Sequence, residues 1–482
     1  MKNKFLLLAL SVLLFATSCK KTTVVDDDTD PVTPSNTIEV SGEISTNTTW
    51  SASKIYLLKG FVYVSNGATL TIEPGTIIKG DKASKATLIV TRGSKINATG
   101  TAEKPIVFTS ALPAGARDKG DWGGVILLGK APTNQGTDVK IEGGPVAPTG
   151  KDEKVYTFFG GTDAADNSGT LKYVRIEYAG VEYTVNSEIN GLTLGGVGNG
   201  TTLDYIQIYR SGDDAFEWFG GTVNAKHLLA IGTWDDDFDT DFGYSGNVQF
   251  ALAQRVPLKA DQSGSNGFES DNNANGTDDL PKTSAVFSNV SILGPIQKSG
   301  LAIDANYQNG AQIRRNSSIS ILNSVISGFP VGLYIDDTKV TTAGSTSTNF
   351  TSGSLVLANN LIYGTKGLEV NVSTAGVAAA IETKLRADNI FDKLVYATTV
   401  FSAPYMYGAD LGTPGSTVGT TNFTVLAGSA AASGAAFTNA KVSGSFFTQV
   451  AYRGAFGTED WTAGWASFNP QSLAYTTPGA VK

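Results

Sequence analysis

The chain has 482 residues, with 36 Lys plus Arg against 44 Asp plus Glu and a net charge of −8. That acidity argues against nucleic acid as a partner, because phosphate binding needs basic patches. One Cys and one His exclude an internal disulfide, a cysteine cluster and a multi-histidine metal site.

Residues 1–18 combine Lys2 and Lys4, an apolar run from Phe5 to Phe15, and the small Ala16-Thr17-Ser18. They read as a secretory signal peptide, too short to span a bilayer. Cys19 follows at once, in an arrangement that resembles the lipobox of bacterial lipoproteins. The resemblance implies that Cys19 is lipidated and ties the chain to a membrane. Ala16 stands where that motif usually has Leu. Residues 19–37 carry Asp26-Asp27-Asp28, Asp30, Pro31 and Pro34 and read as a flexible acidic tether. An acidic run so close to the lipidated Cys is similar to the surface-export signal of Bacteroidota lipoproteins. It implies an outer-membrane, outward-facing location.

From Ile38 onward, short β-rich runs alternate with Gly, Asn and Asp turns, as in Ala68–Ile72, Ala86–Val90, Pro105–Phe108 and Gly124–Leu128. Ile72, Val90, Phe108 and Ile126 follow one another at 18-residue intervals. No helical patterns separate these runs. An all-β solenoid is expected over residues 38–375, with about 20–25 residues per turn and somewhat over ten turns. An antiparallel sandwich is the competing fold. Residues 376–482 are expected to end the solenoid. They hold a helix over Ala378–Phe391, with Ile381, Leu385 and Ile390 on one face, and a C-terminal covering segment that Trp461 and Trp465 fold back onto the body.

Several runs together resemble a family of exported bacterial proteins of the pectin-lyase-like class. They are IEPGTIIKG (72–80), DWGGVILLGKAP (121–132), GGTDAADNSGTLKYVRIEYAG (160–180), GDDAFEWFGGTVNAKHLLA (212–230) and GAFGTEDWTAGW (454–465). The resemblance implies a right-handed, single-stranded parallel β-helix. It implies no particular activity, since the family's biochemical role is poorly defined.

Two acidic segments offer hard oxygens suited to Ca²⁺. In the first, strand alternation is expected to place Asp237, Asp239 and Asp241 on one face, close after Asp213, Asp214 and Glu217. In the second, Asp271, Asn273, Asn275, Gly276 and Asp279 are spaced like the calcium loop of thrombospondin type 3 repeats and the first half of an EF-hand. Lys282 occupies the twelfth position, where an EF-hand needs Glu. Asp213, Asp214, Glu217, Trp218 and Trp234 form a candidate glycan platform, in which aromatic faces stack on sugars and carboxylates bond hydroxyls. Alternation sends either Trp218 or Phe219 inward.

Polygalacturonase-like hydrolases are matched only by Gly212-Asp213-Asp214, and His227 sits within a strand pattern. A lyase would need a base beside a carboxylate-held ion, and Arg210, Arg255 and Lys259 are available. No catalytic residues are assigned. The leading expectation is a surface lipoprotein with a non-enzymatic role, binding a glycan or a partner protein, with structural Ca²⁺. The alternatives are a calcium-dependent or carboxylate-based polysaccharide lyase or hydrolase, and an accessory lipoprotein of an uptake or secretion system.

Overall fold

The computed structural model describes residues 36–184, 187–341, 345–406 and 420–482. Residues 1–35, on which the expected signal peptide, the lipidation of Cys19 and most of the expected tether fall, lie outside the described residues.

Twenty-six strands join one sheet in which every pairing is parallel. Among the described residues, antiparallel pairs occur only in three small two-stranded sheets. The sheet coils into a right-handed parallel β-helix with three faces. One turn illustrates the rule. Thr69–Ile72 lies on the first face, Ile77–Gly80 on the next and Thr87–Val90 on the last. Each then pairs with the equivalent strand one turn on, as Leu70 with Ile96, Ile78 with Phe108 and Leu88 with Val125. Alternate residues turn inward, and their stack forms one continuous core. Rings pile up in register inside it: Phe216, Phe238 and Phe268 lie 5.8 and 5.4 Å apart in succession.

The 18-residue interval is not the period of this coil. Ile72 stands opposite Ala98, Val90 opposite Leu127 and Phe108 opposite Ile176. Successive coils differ in length because their turns carry insertions. The segment between Leu128 and Gly169 holds a five-residue helix, Glu153–Thr157, and covers part of the last face through Ile141, Tyr156 and Phe159.

The helix expected near the end spans Ala375–Asp388, and Ile381 and Leu385 bury against the core. Ile390 leaves the helix to begin a short strand and is exposed. A second helix, Ser345–Ser352, had no counterpart in the sequence reading. No helix among the described residues is long and apolar enough to cross a membrane.

At one corner the strands of two faces run together. A residue with left-handed backbone makes the bend in each of seven successive coils: Tyr173, Tyr205, His227, Phe250, Asn289, Asn323 and Asn359. That conformation costs a non-glycine residue about 1–2 kcal/mol, and stacking offsets it. Tyr173 and Tyr205 lie 4.4 Å apart, Tyr205 and His227 4.1 Å, and His227 and Phe250 5.4 Å. The C-terminal segment covers this corner, with Trp461 and Trp465 set edge-on against the stack. Further along, Asn289 and Asn323 donate to the carbonyls of Tyr452 and Ala436.

Candidate functional site

The acidic residues gather on the last face. The strands Phe216–Phe219, Phe238–Asp241 and Phe268–Ser270 are consecutive rungs. In each, the Phe points into the core and the next residue points out. Glu217, Asp239 and Glu269 therefore stand directly beside one another, at the 4.7–4.9 Å or so that separates strands.

The turn just before these strands adds a second row. The Asp214 carboxylate accepts from the Asp236 amide at 2.8 Å, and the Asp236 carboxylate accepts from the Asn266 amide. Asn266 in turn accepts from the Asn309 amide at 3.0 Å. An asparagine satisfies such a rung without charge. Two rungs are aspartate instead, and both are buried, with 7 % and 4 % of their surface exposed.

Seven carboxylates come together here in three overlapping triads: Asp213, Asp214 and Asp235; Asp214, Glu217 and Asp239; Asp236, Asp239 and Glu269. Within each triad one oxygen from every residue lies within 4.8 Å of the others. Burial raises all seven carboxyls above the ordinary carboxylate range, and for most of them neighbouring negative charge adds to the effect. Asp235 is pushed up to about 6 and Glu269 to about 7. Glu142, from the insertion, hydrogen-bonds Glu217 and is itself raised to about 7, mainly by burial. Arg314 pairs with Glu269. One oxygen of Asp235 and one of Asp239 are buried with no hydrogen-bond partner. Unpaired buried carboxylate oxygens are costly unless a cation meets them. The donors are all hard oxygens, a set that fits Ca²⁺ or Mg²⁺ and not a soft metal.

A cleft of about 660 Å³ opens beside the first triad, lined among others by Lys119, Glu188, Asp213, Asp235 and Asp261. Gly120, Gly180 and Gly212 form part of its wall. Gly180 has φ +86°, and a Cβ there would sit 2.3 Å from the Gly212 nitrogen, so larger residues are excluded. Trp234 is half-buried and lies beneath Lys119, one of the residues that line the cleft. Lys119 Nζ lies 4.2 Å above its ring and Lys259 Nζ 5.3 Å. Burial lowers the pKa of Lys119.

Several expected residues are placed elsewhere. Asp237 does not join Asp239 and Asp241. It precedes the strand, is fully buried and pairs with the equally buried Arg255 at 2.8 Å. Arg255 is thereby removed from the candidate bases, and Arg210 is bound to Asp118 at 2.6 Å. Asp241 faces outward beside Asp271 and its carboxyl is raised by burial, but it belongs to none of the triads. Trp218 is no part of a glycan platform. Alternation turns it inward, where it is wholly buried and stacks on Tyr244 at 5.3 Å.

The loop from Asp271 does not form a calcium cradle either. The two oxygens of Asp271 meet Arg314 at 2.8 Å and Arg315 at 2.5 Å. Asn273 Oδ1 accepts the amides of Asn275 and Thr277, its amide nitrogen donates to Thr277 and Asp279, and Asn275 is exposed. These side chains are spent on their own turn.

Asp213, Asp214, Glu217 and Asp239 do converge at the site, and Trp234 touches it only through Lys119. Asp235 and Asp236, from the same acidic run as Asp237 and Asp239, complete it together with Glu269, Glu142 and Lys119, which had not been singled out. A signal for three of them was present: a Phe followed by an acid recurs at 216–217, 238–239 and 268–269, with an Asp pair before the first two.

The architecture is that of a right-handed parallel β-helix with a carboxylate-rich lateral face. A family model described as a pectate-lyase like beta helix domain matches residues 42–405, and the chain belongs to that family. No curated protein and no solved structure matches it.

Proposed function

We propose that this chain is a lipid-anchored surface protein of the outer membrane, held through Cys19. Its β-helix binds divalent cations, Ca²⁺ foremost, on the carboxylate face and offers the adjoining cleft to a glycan or a partner protein. The observation that carries this reading is the grouping of seven carboxylates into tight triads with unpartnered buried oxygens. Triads this close titrate as one unit and suit an ion better than a division into separate acid and base.

Calcium added to metal-free protein at pH 7.5 should raise the melting temperature, by an amount set by its binding to the folded state alone. Replacing Glu217 and Asp239 with Gln and Asn should remove that rise. No shift and no binding heat with Ca²⁺ would sink the cation reading. A glycan array, with and without Ca²⁺, tests the cleft. Labelled palmitate should enter the wild type and not Cys19→Ala.

Lys119 favours a second reading, a polysaccharide lyase. It reaches the cleft with a lowered pKa, so it could take the proton next to a sugar carboxylate while the β C–O bond breaks. Unsaturated product from an acidic-polysaccharide panel, lost in Lys119→Met, would establish that reading over the non-enzymatic one.

A further inference from the structure

The turn before the acidic strands is a ladder of equivalent positions. Asn190, Asp214, Asp236, Asn266 and Asn309 each stand two residues before an inward residue, and those inward residues, Leu192, Phe216, Phe238, Phe268 and Ala311, pair rung to rung. Asn266 shows how a rung is satisfied by protein alone: its Oδ1 accepts the backbone and side-chain amides of Asn309 at 3.0 and 2.8 Å. Asn190 departs from that pattern. Its Nδ2 donates to Glu217 of the next rung and to Thr193 Oγ1 at 3.3 Å, while its Oδ1 has no hydrogen-bond partner among the described residues. The residue is 1 % exposed, so solvent does not reach that oxygen. A buried amide oxygen left unmet is costly, and it marks a place where a ligand is missing.

We infer that Asn190 Oδ1 is the neutral fourth ligand of one dehydrated cation site, built on the second triad of Asp214, Glu217 and Asp239, and that this site takes Ca²⁺ in preference to Mg²⁺. The site rests on the cation reading proposed above and adds to it a place, a ligand and a preference among ions. The amide nitrogen of Asn190 touches the Glu217 carboxylate, so the oxygen of the same planar group is carried to the edge of the triad. A half-turn of the amide sets that oxygen against an ion held by Glu217. The preference follows from burial. Asp214 and Glu217 are 7 % and 6 % exposed, so with Asn190 three of the four ligands are shut off from solvent. An ion bound there gives up most of its hydration shell. Ca²⁺ accepts roughly six to eight oxygens in irregular geometry, whereas Mg²⁺ dehydrates reluctantly and keeps several waters. The first and third triads each have one buried member and two partly exposed ones, so they shut out solvent less.

Calorimetric titration of the full chain, stripped of metal with EDTA and then dialysed, measures CaCl₂ and MgCl₂ binding for the wild type, Asn190→Leu and Asn190→Asp. Leucine keeps the volume and removes the oxygen. Aspartate keeps an oxygen and adds a charge, which tightens a calcium site. The tightest wild-type site should bind Ca²⁺ more strongly than Mg²⁺ by about tenfold or more. Asn190→Leu should weaken Ca²⁺ binding at that site by about tenfold, and Asn190→Asp should tighten it severalfold. A cooperative melt in EDTA shows that Asn190→Leu folds; where that melt is absent, Asn190→Asp decides alone. Equal affinity for the two ions, wild-type Ca²⁺ affinity in Asn190→Leu, or no tightening in Asn190→Asp overturns the site at Asn190 and leaves the cation reading standing. No Ca²⁺ binding in the wild type overturns both.

Discussion

Two positions separate Asp237 from Asp239, and their surroundings have little in common. Asp237 meets Arg255 in a pair that solvent does not reach, and burial raises its carboxyl to about 7 despite the guanidinium. Removing one partner leaves the other charged and alone, at a cost of about 3–5 kcal/mol. Arg255→Met should therefore lose that much in denaturant unfolding. Its calcium binding should persist, since neither partner belongs to the triads. Asp239→Asn should do the reverse, stabilising calcium-free protein while weakening ion binding. Trp218→Ala should cost about 3–5 kcal/mol by emptying a buried ring site. Parity alone was legible in the sequence, and it grouped Asp237 with Asp239 because both numbers are odd. It could not show that Asp237 sits in a bend before the strand, where alternation does not apply.

At the scale of elements, the strands were readable and their stacking was not. Alternation in runs such as Thr69–Ile72 marks which residues enter the core, and the glycine-rich turns mark where each strand stops. Which strand lies above which depends on the length of every intervening turn, and these turns vary from coil to coil. The acidic triads arise from that stacking, so Glu269 joins Asp239 across 30 positions of sequence. The C-terminal segment is a comparable case. Its aromatic residues foretold that it folds back, but not the network it closes. Tyr475 donates to Glu177 at 2.9 Å and accepts from Arg175 at 2.9 Å, all three buried. Tyr475→Phe deprives two buried charged groups of a partner and should cost about 1–3 kcal/mol, read from the urea midpoint. A loss under about 0.5 kcal/mol would mean that the hydroxyl is dispensable.

The whole molecule inherits the sign of its acidic face. Burial raises Asp235 to about 6 and Glu269 and Glu142 to about 7 in the folded chain, from ordinary values near 4. The folded state therefore binds more protons than the unfolded state between about pH 4 and pH 7. Without metal, stability should fall as pH rises through that window. Melts in EDTA should give a higher transition temperature at pH 5 than at pH 7.5, and saturating calcium should narrow the gap. A higher value at pH 7.5 in EDTA would contradict the raised carboxyls. Coils of a solenoid touch mainly their neighbours, and such chains commonly grow and fray one repeat at a time. Here Arg117 donates to the carbonyls of Pro470, Leu473 and Ala474, and Arg175 to that of Val481. Synthesis delivers Arg175 306 residues and Arg117 353 or more residues ahead of those partners, and until then a buried guanidinium and the Glu177 carboxylate lack their full complement. The early coils cannot reach their final stability on their own, and the late segment has nothing to close upon without them. Assembly thus acquires a last step that seals the first coils, and loss of the C-terminal segment should loosen the coils around Arg117 and Arg175 as much as its own end.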